Sequence, residues 1–270
     1  MSRTPLDRAS TENHTRTAEI EDFPAVEVCH VHFYYQGKVV LDDVTIRVDP
    51  GRFLGIIGPN GAGKTTLLKT VLGILPVDTG TVRIFGQDPR GARMNRQIGY
   101  VPQRLNFERD FPVSVMDVVL MGVKVKRFPW LQGPTVQGLR IRRAEELIKR
   151  VGLSGLEKRP IASISGGQQQ RAFLAQALCI GPRVLILDEP TTGLDFKGQR
   201  EFYALVKNLQ GETGLTVVAA SHDLEALAYN ADELVVLDKR IWLRGKPDDV
   251  LNSTELKRIY GIRNRAVLRG

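Results

Sequence analysis

From about Val26 the chain alternates apolar and polar positions. AVEVCHVHFYY is followed by LDDVTIRVD, where Val44, Ile46 and Val48 fall on one face, and this period of two predicts antiparallel strands. The next run, FLGII at 53–57, is apolar throughout, and later apolar runs of buried-strand type are IGYV at 98–101, VLIL at 184–187, TVVAAS at 216–221 and LVVL at 234–237. Runs apolar on both faces predict a sheet covered by helices on each side. Between them the period lengthens. Ala144, Leu147, Ile148 and Val151 recur at i, i+3, i+4 and i+7, as do Phe202, Leu205, Val206 and Leu209, so these segments predict amphipathic helices. Strand and helix in alternation mean an α/β layered core. Residues 104 to about 175 carry helical patterns without a strand signal and predict a helical insert within that core.

The ends of the chain read differently. Residues 1–24 are rich in Ser, Thr, Arg and acidic side chains and nearly devoid of apolar ones. Such a composition buries too little surface to offset its ordering entropy, so a disordered tail is expected. Asp7, Glu12, Glu19, Glu21 and Asp22 argue against a transit peptide. Residues 246–270 predict a helical, basic extension; LKRIYGIRNRAVLRG at 256–270 interleaves positive and apolar residues, which suits a solvated end helix or weak membrane contact. The central domain then spans residues 25–245.

Composition narrows the classes. At 270 residues, 42% hydrophobic and 25% charged, the chain has the make-up of a soluble protein with ample core. It offers neither a membrane-length apolar run nor an initial segment of signal-peptide type. The two cysteines, Cys29 and Cys179, lack metal-ligand spacing and read as reduced core thiols. The four histidines form no metal cluster in the sequence. A net charge of +8 favours anionic partners without choosing among nucleotides, nucleic acid and lipid headgroups.

The chemistry concentrates at GPNGAGKTT, residues 58–66, directly after FLGII. Gly58, Gly63, Lys64 and Thr65 match G-x-x-x-x-G-K-[ST], with a strand before and a helical pattern (Leu67, Leu68, Val71, Leu72) after. A glycine-rich turn without a ligand is the structural alternative, and the flanking elements argue against it. Glycines allow backbone N–H groups to curl inward, and the new helix adds its positive dipole end. Gly58, Pro59, Asn60, Gly61, Ala62, Gly63, Lys64, Thr65 and Thr66 are therefore expected to cradle the phosphates of ATP, with Lys64 on the β- and γ-phosphates and the Thr65 hydroxyl on Mg²⁺. VLILDEP supplies the carboxylates that such a site needs: Asp188 near the metal and Glu189 near the γ-phosphate. An acid at the tip of an apolar strand costs desolvation unless charge compensates it.

A third element is narrower. SISGGQQQR at 163–171 resembles the LSGGQ signature of ABC transporter ATPases, with Ile164 in place of Leu. The other family elements follow in order: Gln103 in YVPQR resembles the Q-loop, Gly193-Leu194-Asp195 the D-loop and His222 in AASHD the switch histidine. Tyr35 in HFYYQG stands where an aromatic stacks on adenine, with Tyr34 beside it as the other candidate. The resemblance covers roughly residues 26–245. It implies a P-loop, RecA-like α/β core with an antiparallel β subdomain and an inserted α-helical subdomain. It also implies that Ser165, Gly166, Gly167 and Gln168, with Asp195, close over ATP held by a second copy. Glu189 would serve as general base, His222 would touch the γ-phosphate, and Gln103 would contact metal or water.

One cradle and one signature, with no membrane span, imply that a separate chain contributes the permease. The pattern resembles importer subunits fed by an extracytoplasmic solute-binding protein, seated peripherally on the cytoplasmic face of the membrane. FPVSVMDVVLMG after Gln103 is similar to zinc- and manganese-type importers; iron-chelate importers have related inserts, and PTTGLD departs from the metal branch's frequent Phe-x-Gly form. A nucleic-acid-handling ATPase and a poorly hydrolysing regulatory module remain as alternatives. Glu189, His222 and Gln103 together argue against the latter, and no nucleic-acid partner is expected.

Overall fold

The computed structural model describes residues 23–103, 112–123 and 134–259. Residues 1–22, 104–111, 124–133 and 260–270, and with them most of the expected tail and the start of the insert, lie outside the described residues.

Two sheets organise the chain. β1 (Val26–Tyr35), β2 (Lys38–Val48) and β4 (Thr79–Arg83) form an antiparallel sheet in the order β2-β1-β4. β3 (Phe53–Ile57), β5 (Ile98–Val101), β6 (Val184–Asp188), β7 (Thr216–Ser221), β8 (Glu233–Asp238) and β9 (Arg240–Gly245) form the second, ordered β5-β6-β7-β3-β8-β9. Its strands run parallel except β9, which returns antiparallel beside β8. The hydropathy pattern signals neither β4 nor β9. TGTVR is mostly exposed and has no apolar face to reveal it, and Ile241 and Leu243 alternate with exposed residues over a short edge.

The alternation within the central strands sorts their side chains onto two cores. Phe53, Ile57, Leu185, Leu187, Val217, Ala219, Leu234 and Val236 face one way. There they meet α3 (Val115–Met121), α4 (Pro134–Arg150), α5 (Gly166–Leu178), α6 (Phe196–Thr213) and α7 (Leu224–Ala228). Leu54, Ile56, Val184, Ile186, Val218, Ala220, Val235 and Leu237 face the other way, onto α1 (Lys64–Val71), α2 (Pro89–Met94) and the antiparallel sheet. Helices lie on both faces as expected, and on the second face the inner side of β1 and β2 shares the covering with them. Val28, Val31, Val44 and Ile46 are buried there, which is why those strands alternate.

The described residues from 112 to 178 are helical apart from their connections. α3 opens on a capping box in which the Ser114 side chain accepts from Asp117 N while Asp117 receives the Ser114 N–H. α8 (Pro247–Asn252) and α9 (Thr254–Ile259) bring Val250 and Leu256, both under 4% exposed, into the main core, while most of the expected basic end, residues 260–270, lies outside the described residues. Among the described residues no helix is long and apolar enough to cross a membrane, and no cluster of His, Cys, Asp or Glu is arranged to hold a metal ion by itself.

Candidate functional site

β3 ends at Ile57 and α1 begins at Lys64, so residues 58–63 turn at the carboxyl edge of the parallel strands, where ligands of open α/β sheets sit. At two positions the turn is too crowded for a side chain. A Cβ on Gly58 would lie 2.1 Å from the Leu237 carbonyl oxygen. Gly63 has φ 98°, which favours glycine, and its Cβ would lie 2.8 Å from the Val40 oxygen. With those positions bare, Asn60 through Thr66 line a cavity of about 300 Å³, which Val40, Gln103 and Glu189 complete. The floor of backbone fits a phosphate chain.

The charged groups of this pocket are buried and tied to one another. Lys64, 5% exposed, donates from Nζ to the carbonyls of Gly58 (2.8 Å) and Pro59 (3.2 Å) and lies 3.4 Å from Glu189 Oε1. The Thr65 hydroxyl donates to Asp188 Oδ1 at 2.9 Å. Burial pushes the Asp188 carboxyl above the usual carboxylate range, against the opposing Thr65 hydrogen bond and with the help of neighbouring Glu189. A buried carboxylate held at a disfavoured charge beside a hydroxyl is the donor set expected around Mg²⁺. Glu189 follows with φ 45°, a left-handed backbone that costs a non-glycine residue about 1–3 kcal/mol, and its N–H donates to Ala220 O at 2.9 Å. Its Oε2 accepts from Gln103 Nε2 at 2.8 Å and lies 3.3 Å from His222 Nδ1. Strand ends β5, β6 and β7 thus bring Gln103, Asp188, Glu189 and His222 together with Lys64 and Thr65.

Two neighbours carry no sequence signal. The Tyr100 hydroxyl lies 3.5 Å from Asp188 Oδ2, and its own pKa is pushed up to about 12, first by burial and then by Asp188. Thr192 Oγ1 donates to Glu189 Oε2 at 3.4 Å. Tyr100 lies on β5 opposite Ile186 of β6, two residues before Asp188, a register that the sequence does not display. Tyr35 is not in the pocket lining. It pairs with Lys38 across the β1–β2 hairpin, two residues from Val40, and is 63% exposed; Tyr34, also exposed, pairs with Val39.

The signature residues occupy a separate place. Ser165, Gly166, Gly167, Gln168, Gly193 and Asp195 line a cavity of about 510 Å³ that shares no lining residue with the phosphate pocket. Ser165 caps α5 in a box with Gln168, donating its N–H to Gln168 Oε1 at 2.9 Å, and Asp195 caps α6 through Gly198 N at 2.8 Å. Ile164 is 9% exposed and belongs to the main core, so its side chain is used in packing.

The family model described as ABC transporter matches residues 41–192. The manganese transport system ATP-binding protein MntB of Bacillus subtilis is 40% identical over 239 residues, 88% of this chain and 93% of that protein. The zinc transport system ATP-binding protein TroB of Treponema pallidum is 39% identical over 90% of each chain. Among solved structures, CbiO1 of Clostridium perfringens, part of the ABC transporter complex CbiONQ, superimposes with a TM-score of 0.74 at 30% identity over 90% of this chain and 96% of its own. With its phosphate loop and buried acid pair at the strand ends of one sheet and its signature at the start of α5, the chain belongs to the ABC transporter family and is an ATP-binding ATPase subunit.

Proposed function

We propose that this chain hydrolyses ATP to energise import of a divalent metal ion, zinc or manganese, through a separate integral-membrane permease, with an extracytoplasmic solute-binding protein delivering the ion. The chain lies peripherally on the cytoplasmic face of the membrane. The observation that carries the mechanism is the buried set of Lys64, Asp188 and Glu189 at one strand edge. Support for the ion comes from relatives covering about nine-tenths of this chain whose names specify manganese or zinc transport.

The residue roles follow from their surroundings. Lys64 neutralises the β- and γ-phosphates from a fixed, dehydrated position, where a charge-assisted hydrogen bond contributes roughly 1.5–3 kcal/mol. Thr65 and Asp188, with Gln103, are the groups that would hold Mg²⁺, which when bound screens the charge on the transferring phosphoryl oxygens. Glu189 accepts a proton from the attacking water, and Gln103 and His222, both within 3.3 Å of its Oε2, orient that carboxylate. Tyr35 stacks on the adenine. The separation of the two pockets supports a two-copy arrangement, in which Ser165, Gly166, Gly167, Gln168 and Asp195 of one chain close over ATP cradled by residues 58–66 of the other. The division into an N-terminal tail (1–24), an ATPase domain (25–245, insert about 104–175) and a C-terminal extension (246–270) is part of the same reading.

Co-purification of the membrane partner, followed by uptake measurements in a strain lacking this chain, tests the assignment. Loss of zinc or manganese uptake, with recovery by the wild-type chain and none by Glu189→Gln, is expected. Intact uptake of both ions with loss of iron-chelate uptake would move the substrate to that class. ATPase stimulation by nucleic acid, with no permease recovered, would overturn the transport reading.

A further inference from the structure

Outside the acid pair and the signature, one contact bears directly on the phosphate loop. The turn between β8 and β9 bonds to both that loop and β2. Lys239 N donates to Ala62 O at 2.9 Å, Lys239 O accepts from Asp42 N at 2.8 Å, and the Leu237 carbonyl packs against the bare Cα of Gly58. Lys239 adopts φ 60°, a conformation that glycine favours and lysine resists. Strained backbone away from any turn glycine persists only where its surroundings hold it. Here they do: Trp242 Nε1 donates to Asp238 O at 3.2 Å, and the Arg240 guanidinium sits 4.4 Å above the Trp242 ring.

The geometry points to Lys239 as a positioning residue for nucleotide binding, acting through its backbone; this rests on reading residues 58–66 as the phosphate loop. A trans peptide directs its C=O and the next N–H to opposite sides. By holding the Ala62 carbonyl toward the β8–β9 turn, Lys239 directs the Gly63 N–H the other way, toward the pocket that Gly63 lines. An N–H fixed before the phosphate arrives needs no reordering when it binds. The relation is reciprocal. A phosphate oxygen on Gly63 N–H polarises the peptide and strengthens the bond from Lys239, so nucleotide binding is felt in the turn and at Trp242. The side chain of Lys239 is exposed and plays no part in this; the N–H and the left-handed backbone do.

The test uses the full-length chain and Mg·ATP. Lys239→Pro deletes the N–H and forbids φ 60°; it is expected to raise the Kd of Mg·ATP about tenfold while kcat at saturating ATP stays within about threefold. Lys239→Gly keeps the N–H and accepts the backbone angle, and it should restore the Kd to within about twofold of the parent. If the proline variant does not fold, Trp242→Phe decides: it removes the donor to Asp238, leaves a smaller ring beneath Arg240, and should raise the Kd about threefold with the melting temperature nearly unchanged. A spectroscopic arm reads the coupling directly. The chain has two tryptophans, and in a Trp130→Phe background the emission of Trp242 should shift on adding Mg·ATP and stop doing so when Lys64→Ala is added. A folded Lys239→Pro chain with the parent's Kd, or Trp242 emission blind to Mg·ATP in a chain that binds it, overturns the proposal. Unchanged ATP affinity in Lys64→Ala instead removes the phosphate-loop reading beneath it, so the two failures are told apart.

Discussion

In the phosphate pocket, Lys64, Asp188 and Glu189 are each less than 10% exposed and bond to residues of the same pocket. In the signature pocket, Ser165, Gly166, Gly193 and Asp195 are exposed, and the Ser165 and Asp195 side chains turn back to cap their own helices. The first region is assembled from four strand ends and completed by burial. The second is assembled from two helix N-termini, whose N–H groups and dipoles aim outward. A buried charged set binds and prepares a reaction within one chain; an open pair of helix ends is suited to something another surface brings. The contrast teaches where the division of labour falls, and each region can be broken without breaking the other.

The largest expected effect is at Glu189. Glu189→Gln preserves shape and the bonds from Gln103 and Thr192 but removes the base; kcat for ATP hydrolysis should fall by roughly 10²–10⁴ with ATP binding retained. Undiminished turnover would remove the assignment. Lys64→Ala comes next. It deletes the buried ammonium and leaves Glu189 without its 3.4 Å partner, so Kd for Mg·ATP, measured by calorimetry, should rise roughly 10- to 100-fold. At the signature the order of effects reverses. Ser165→Ala should leave the Kd of the isolated chain within about twofold and lower turnover of the assembled transporter about tenfold, since the hydroxyl caps α5 in the single chain and would meet nucleotide only in the closed assembly. A rise in the isolated chain's Kd would mean that the two pockets are not separate sites.

The same contrast explains which parts of the molecule are legible in its sequence. The phosphate loop, Asp188 and Glu189 lie on contiguous stretches whose glycine spacing and apolar flanks are local, so GPNGAGKTT and VLILDEP can be recognised from their residues alone. The two-core architecture is legible in part: alternation in β1 and β2 marks a half-buried sheet, but which face of the central sheet it covers depends on packing between segments far apart in the chain. β4 and β9 are edge strands with little apolar patterning. Val250 and Leu256 dock α8 and α9 onto the core as single residues, too few to set a period. Tyr100 and the Lys239–Ala62 bond are illegible for another reason. The first is a strand tyrosine like any core aromatic until β6 places Asp188 beside it. The second uses main-chain atoms, which the sequence does not vary.

The smallest effect sharpens the comparison from outside both pockets. At the opposite end of β3, Asp232 Oδ2 accepts from Phe53 N at 2.8 Å and Gln210 Nε2 at 3.0 Å, while Oδ1 accepts from Lys207 Nζ at 2.6 Å. Burial alone would raise its carboxyl pKa, but the hydrogen bonds from Lys207, Phe53 and Gln210 outweigh it and hold the value below the ordinary 3.8. A folded-state pKa below the unfolded one means that ionised Asp232 stabilises the fold above the unfolded value and ceases to do so as pH falls through the folded one. Asp232→Asn should therefore cost about 1–2 kcal/mol in urea unfolding at pH 7, and the gap between variant and parent should narrow as pH is lowered below about 4. Because this cluster orients the start of β3 and neither pocket, kcat and the Kd for Mg·ATP should match the parent at temperatures where both chains are folded. If they shift as well, the phosphate loop is tuned by the far end of its own strand, and the independence argued for the two pockets would have to be replaced by coupling through β3.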